Sequence, residues 1–232
     1  MTTILKLGGE LLEDAEAMRT AAAAIALMAA EGPLAIVHGG GRAIDADLRA
    51  RGKAPRFVDG LRVTDDDTLE TVVAVLAGRI NTAFVAALVA AGVKAVGLTG
   101  ADAAIGISTL APPLKTTTGT LADLGLVGIP ADDAPAQLLS DLLALGYVPV
   151  VASVGISADG NLLNVNADTL AGIMAFRHPD MDAIQRVLHA NKVHVMSQAG
   201  RMRVAIHGYN TAADIERFLT VLTGALRHVA TA

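Results

Sequence analysis

The chain of 232 residues has no cysteine and no tryptophan, and aromatic residues make up only 3% of it. Without cysteine there are no disulfides, thiolate nucleophiles or thiolate metal sites. With so few aromatics, small side chains favour close helix–sheet packing over bulky interface anchors. Lysine is scarce as well, and Lys6, Lys53, Lys94, Lys115 and Lys192 form the complete set. The apolar run Ala21 to Ala30 is far too short to cross a bilayer, so no membrane partner is expected. The start Met1-Thr2-Thr3 lacks the basic n-region of a signal peptide, which makes a cytoplasmic location the default expectation. A formal charge of −5 gives no reason to expect nucleic acid as a partner.

Hydrophobic residues account for 53% of the chain, enough for one domain or a domain with a small appendage. Charge is distributed unevenly. Residues 1–172 carry 11 Lys+Arg against 19 Asp+Glu, whereas residues 173–232 carry 7 against 4 and five of the six histidines. The shift places a module boundary near residue 172. The C-terminal histidines show no short ligand spacing such as His-x₃-His, so no metal site is expected there.

Two segments carry the chemistry. Lys6-Leu7-Gly8-Gly9 follows the apolar run Thr3-Ile4-Leu5, and His38-Gly39-Gly40-Gly41 follows Pro33-Leu34-Ala35-Ile36-Val37. Each reads as a buried strand, a glycine turn and a helix, the helices spanning residues 14–30 and 42–51. Glycine lets backbone N–H groups approach an anion, and the helix N-terminus adds a positive dipole. Two such turns on parallel strands face one crevice at the strand C-termini, a site suited to phosphoryl chemistry. Lys6 is a compact point charge able to follow a migrating phosphoryl group, although a solvated strand-end lysine has the same local pattern.

Downstream, residues 56–64 predict a hairpin turning at Asp59-Gly60, after which Thr64 is placed to cap a long helix ending at Gly92. Strands are expected over 93–98 and 147–152, a peripheral hairpin within 105–129, a helix over 134–145, and a second hairpin around Asp159-Gly160-Asn161. The remainder reads as β-α-β-β-α: a strand at 173–176, a helix at 179–191, strands at 193–196 and 202–206, and a helix at 212–227 capped by Thr211. The fold class that results is α/β, a three-layer αβα sandwich on a mostly parallel sheet. A small C-terminal α+β unit is attached to it.

In family order the chain shows KLGGELL, VHGGGRAIDADL, FVDGLRVTD, ALAGRINTAFVAAL, VGLTGADA, GYVPVVASVGI and NLLNVNADTLAG. Over residues 1 to about 172 it therefore resembles the acetylglutamate kinases of the amino acid kinase family, which phosphorylate N-acetyl-L-glutamate with ATP and Mg²⁺ in arginine biosynthesis. By that resemblance Lys6 contacts the transferred phosphoryl group and Asp168 orients the lysine. Gly8, Gly9, Gly40 and Gly41 supply backbone donors, Arg62 clamps a carboxylate and Asn164 holds the substrate. The stretch Arg79–Leu88 resembles the family's dimer helix, which implies a homodimer. Read locally, Arg62 is equally a hairpin surface charge, and Asn164 and Asp168 are equally turn and capping residues.

After NVNAD the family continues into a nucleotide-binding lobe with a second lysine, and this chain shows no counterpart of it. Residues from about 176 onward, including FRHPD and VHVMSQAGRMRVAIHGYNTAADIERFL, instead resemble the C-terminal subdomain of class V pyridoxal-phosphate-dependent aminotransferases. Arg203 there stands six positions before Tyr209, the place of that family's carboxylate-binding arginine. The Schiff-base context is absent around Lys192, so pyridoxal phosphate is not an expected cofactor. The expectation is an acetylglutamate kinase-like lobe, weak or inactive alone. A non-catalytic N-acyl amino acid binding module and a recombined chimeric fold are the alternatives.

Overall fold

The computed structural model describes residues 2–174, 181–193, 196–198, 201–203, 217–218, 220–222 and 224–225. It divides into two compact units, Met1–Ile173 and Met174–Ala232.

The first unit is built on a four-stranded parallel sheet. Its strands are β1 (Thr3–Leu7), β2 (Leu34–His38), β5 (Ala95–Thr99) and β10 (Val148–Ala152), in the order β1-β2-β10-β5. β2 and β10 are buried at every position and form the centre of the core. Helix α1 (Ala15–Glu31) connects β1 to β2, capped by Asp14, whose carboxylate accepts from the Glu16 and Ala17 N–H groups. The connection from β2 to β5 continues in the same direction across the sheet, but the one from β5 to β10 runs back. Right-handed crossovers taken in opposite directions put their helices on opposite faces, which gives the three layers. Both glycine turns leave the C-terminal ends of adjacent parallel strands, β1 and β2, the end of such sheets at which ligands bind.

Between β2 and β5 lie α2 (Gly41–Ala50), the hairpin strands β3 (Phe57–Val58) and β4 (Leu61–Arg62), and a helix running without a break from Asp66 to Ala90. Asp59 (φ 45°) and Gly60 (φ 80°) form the hairpin turn as expected. The long helix consists of α3 (Asp66–Val73), a π-helical stretch Ala74–Ile80 and α4 (Asn81–Ala90). By length and composition it could reach across a bilayer. It nevertheless lays Val72, Leu76, Ile80, Phe84 and Leu88 into the core. Its cap is Asp65, which accepts from Thr68 N–H at 2.9 Å, not Thr64. Thr64 is buried, and its backbone bonds both Leu124 and Leu126, so it cannot serve a helix end.

The single peripheral hairpin expected over 105–129 is four strands: β6 (Ser108–Leu110), β7 (Leu114–Lys115), β8 (Leu121–Ala122) and β9 (Val127–Pro130). β7 and β8 form a small hairpin, while β6 and β9 join β11 (Val154–Ile156) and β12 (Leu162–Val165) in a second sheet of order β11-β12-β9-β6. α5 (Gln137–Ala144) is shorter than expected, and α6 (Ala167–Met174) follows β12.

The second unit contains α7 (Met181–Ala190) and an antiparallel hairpin of β13 (Met196–Gln198) and β14 (Arg201–Arg203). Its core gathers Ile184, Leu188 and Ala225, with Val187, Val193, Phe218, Val221 and Leu222 packed against it. Of the strand expected over 173–176, Ile173 and Met174 instead continue α6, and residues 175–176 lie outside the described residues. The first of the two later strands begins at Met196, with Val193 outside it. Thr211, Tyr209, the Arg203 side chain and His178, His194, His207 and His228 lie outside the described residues or side chains.

Ala103 (φ 48°) and Ala104 (φ 57°) both adopt the left-handed conformation in the loop after β5. For a residue with a Cβ this costs roughly 1 kcal/mol. Ala103→Gly is therefore expected to raise the unfolding free energy by about 1 kcal/mol in urea titrations. An unchanged or lowered midpoint would contradict this.

Candidate functional site

The crevice is assembled from strand ends. Gly8 and Gly9 follow β1, Gly39 and Gly40 follow β2, and α6 begins at Ala167 just after β12. The two glycine turns touch: a Cβ built on Gly9 would lie 2.6 Å from the Gly40 Cα, inside any allowed contact. A Cβ on Gly40 would strike Ile80 and come within 2.9 Å of the Leu76 Cδ2, so the π-helical stretch presses on the second turn from behind. A Cβ on Gly39 would meet that of Ala167 at 3.4 Å, which brings the α6 N-terminus alongside. Nothing lies within 4 Å of a Cβ built on Gly8, so packing does not require glycine there.

Lys6, the second-last residue of β1, reaches Asp168 in the first turn of α6. Its Nζ lies 3.1 Å from Asp168 Oδ1, both side chains being partly exposed. Asp168 is held in place by the turn itself, since Asn166 Oδ1 accepts from Asp168 N–H at 2.8 Å and from Thr169 N–H at 3.1 Å. This Asn166 cap was not among the expected site residues, although Asn-x-Asp before an apolar run is a readable helix start.

Arg62 closes one side. Its guanidinium is almost fully buried, donates to the Asp45 carboxylate and to Gly41 O (3.0 Å), and sits 4.8 Å above the Phe57 ring. It is therefore not the exposed hairpin charge that its local sequence permitted. Asn164 Nδ2 donates to Thr64 Oγ1 at 2.9 Å, and that hydroxyl in turn donates to Arg62 O. Lys6, Gly9, Gly40, Gly41, Arg62, Asn164 and Asp168 thus belong to one continuous set of neighbours. Gly8 adjoins it through the chain.

Sequence reasoning missed a buried pair beneath the second turn. His38 and Asn81 are both buried, and Asn81 Nδ2 lies 3.2 Å from His38 Nε2, 3.2 Å from Leu98 O and 2.9 Å from Val150 O. His38 Nδ1 lies 3.1 Å from Gly39 O. Burial lowers the imidazole pKa to about 4, with the Gly39 bond opposing weakly. Next to Thr64 in the chain, the Lys53 ammonium and the Thr68 bonds hold the Asp65 carboxyl well below the usual carboxylate range.

Touching glycine turns at the ends of two parallel strands, with a lysine and a helix N-terminus alongside, define an α/β protein with its polar groups gathered at one end of the sheet. The chain belongs to the amino acid kinase family, which residues 1–177 match. Among curated relatives it is 36% identical to the acetylglutamate kinase of Methanoculleus marisnigri over 203 residues, covering 84% of this chain and 70% of that one. It is 39% identical to the acetylglutamate kinase of Methanocorpusculum labreanum and 42% identical to that of Symbiobacterium thermophilum. In each case 75% of this chain is covered, but the chain spans only 60% and 59% of those enzymes' lengths. Among solved structures, smu.665 from Streptococcus mutans superposes with a TM-score of 0.61 at 25% identity, covering 75% of this chain and 66% of that one. N-acetylglutamate synthase from Neisseria gonorrhoeae, solved with coenzyme A and N-acetyl-glutamate, shares the fold with a TM-score of 0.60 at 21% identity. That alignment covers 97% of this chain and 51% of the synthase.

The His38 burial has a consequence for stability. Unfolded histidine takes up a proton near pH 6.5, while the folded ring resists it to about pH 4. The unfolded state then binds more protons, so stability falls as pH drops through this window, by up to about 3 kcal/mol. Asp65 acts in the same direction only below about pH 4, the ordinary carboxylate range. Calorimetry is expected to show the melting temperature declining between pH 6.5 and 4, and a flat profile there would contradict the burial of a neutral ring.

Proposed function

We propose that this chain is an acetylglutamate kinase-like protein that binds N-acetyl-L-glutamate at the paired glycine turns. The observation that carries the reading is Lys6 held 3.1 Å from Asp168 directly beside the touching turns. In this reading the Gly9 and Gly40 backbones face the side-chain carboxylate of the acyl amino acid. The guanidinium donors that Asp45 and Gly41 leave over clamp its other carboxylate, and the Asn164 side chain fixes its orientation. Lys6, steered by Asp168, neutralises charge on the phosphoryl group as it passes to the carboxylate oxygen, and positioning of this kind dominates phosphoryl transfer.

ATP and Mg²⁺ belong to the reading through the relatives. The open space over Gly8 fits a phosphate oxygen resting on the backbone. Among the described residues no group of three His, Asp or Glu could hold a metal, so Mg²⁺ would rely chiefly on phosphate oxygens and water. The chain spans only about 60% of two of its kinase relatives. The residues that follow Asp168 include a single lysine, Lys192, which is not in the context of the family's nucleotide lobe; on that ground we assign the chain weak or no phosphorylation. The same sequence context favours the second reading, an acyl amino acid binding module without chemistry. Residues 173–232 belong to the proposal as an aminotransferase-like appendage with no bound pyridoxal phosphate, and a cytoplasmic location completes it.

Isothermal titration is expected to detect N-acetyl-L-glutamate binding that weakens at least tenfold in Arg62→Ala. Gly8→Ala is expected to leave the melting temperature unchanged, because its Cβ meets nothing, while impairing nucleotide-dependent turnover where any exists. No binding at millimolar ligand would remove the proposal. Robust turnover with MgATP, abolished in Lys6→Ala, would overturn the assignment of weak activity.

The proposal includes a homodimer. The long helix leaves Ala74, Gly78, Thr82, Ala86 and Val89 exposed beside β5, the edge strand of the sheet. A small-residue face next to an open strand edge suits close packing against a second copy. Light scattering is expected to give twice the chain mass, falling to the single mass in Ala86→Glu; a monomeric wild type would exclude the dimer.

A further inference from the structure

The hydrogen bonds around His38 fix its tautomer from both ends. Asn81 Nδ2 faces two carbonyl oxygens, Leu98 O and Val150 O, which can only accept. The nitrogen of that amide, and not its oxygen, must therefore occupy this position, and the same NH₂ group faces His38 Nε2. A ring nitrogen facing a donor must be bare. The ring proton then sits on Nδ1, where it meets Gly39 O, again a group that can only accept. The two ends agree on one state of a ring that is wholly shielded from solvent.

The Gly39 carbonyl and the Gly40 N–H belong to one planar trans peptide and point in opposite directions. Fixing the carbonyl toward the imidazole therefore aims the amide the other way. The Gly40 backbone on that side abuts Gly9 of the first turn, and no described residue accepts from the Gly40 N–H. A glycine pair holds no orientation by itself, since both residues populate a wide range of backbone angles. Something outside the turn has to select the peptide orientation that presents a donor to the crevice.

We infer that His38 is a positioning residue: its Nδ1–H holds the Gly39 carbonyl and thereby aims the Gly40 amide into the crevice, while Asn81 locks the tautomer from behind. Asn81 stands at the start of α4 and also ties the helix to β5 and β10. The orientation of the Gly39–Gly40 peptide thus draws on a chain of bonds through the centre of the sheet. The inference relies on the proposed function only for the identity of the anion that the Gly40 amide meets.

Two isosteric substitutions separate positioning from core filling. An asparagine amide nitrogen takes the place of Nδ1, and a glutamine amide takes the place of Nε2. His38→Asn keeps a donor for Gly39 O and loses the Asn81 contact; His38→Gln does the reverse. In the full chain, His38→Gln is expected to shift the Gly40 amide resonance and weaken N-acetyl-L-glutamate binding at least tenfold, and His38→Asn to recover most of both losses. Long-range ¹H–¹⁵N spectra of the histidine-labelled wild type at neutral pH are expected to show Nδ1 protonated and Nε2 bare. An Nε2–H tautomer, or equal losses in the two variants, would overturn the inference even if one variant folds poorly. Should the wild type bind no acyl amino acid, the proposed function falls, while the tautomer and the Gly40 resonance still decide the role of His38.

Discussion

The contact between Gly9 and Gly40 governs the rest of the first unit. There is no room for one methyl group between the two turns, so the C-terminal ends of β1 and β2 are held at backbone separation. The parallel register, with Leu7 opposite His38, delivers them there, and Ile80 and Leu76 close the space behind. Side chains that would serve an anion then need only reach this one point. Lys6 does so from the strand itself, Asp168 from a helix start and Arg62 from a hairpin. The sheet supplies position, and the loops supply charge.

That division of labour explains why the polar groups differ so much in burial. His38 and Asn81 lie buried under the turns, where both imidazole nitrogens and the Asn81 NH₂ group face polar partners. Lys6 and Asp168 lie above and stay partly open to water, where their charge can rearrange around an incoming group. Arg62 is intermediate: nearly buried and anchored by Asp45, Gly41 and the Phe57 ring, with some of its N–H donors left over. A guanidinium anchored in this way loses little further freedom on binding a carboxylate.

Much of the scaffold was legible in the sequence because it depends on short-range chemistry. The strand–glycine–helix segments at Lys6 and His38 and the Asp59-Gly60 turn each follow from a few adjacent residues. Long-range pairings were not legible in this way. Lys6 and Asp168 are brought together by the whole fold, and only the resemblance joined them beforehand. His38 and Asn81 look like an ordinary strand end and an ordinary polar position on a helix until β2, β5 and β10 surround them. Thr64 misled for a related reason. Its side chain suits a helix cap, but a tertiary bridge to Gly125 claimed its backbone first and passed the cap to Asp65. The strand expected at Ile173 failed because the apolar run there serves the period of α6 as well as that of a strand.

The π-helical stretch Ala74–Ile80 sets the phase between the two halves of the longest helix. Its wider turns advance the following residues around the axis differently from an α-helical ladder, so α3 and α4 present independent faces. α3 can answer to α2 and the second sheet while α4 answers to the parallel sheet, without a break in the rod between them. A chain with one residue fewer in this stretch would keep its helix but rotate Asn81 away from His38, and the imidazole would be left with no partner on its inner side.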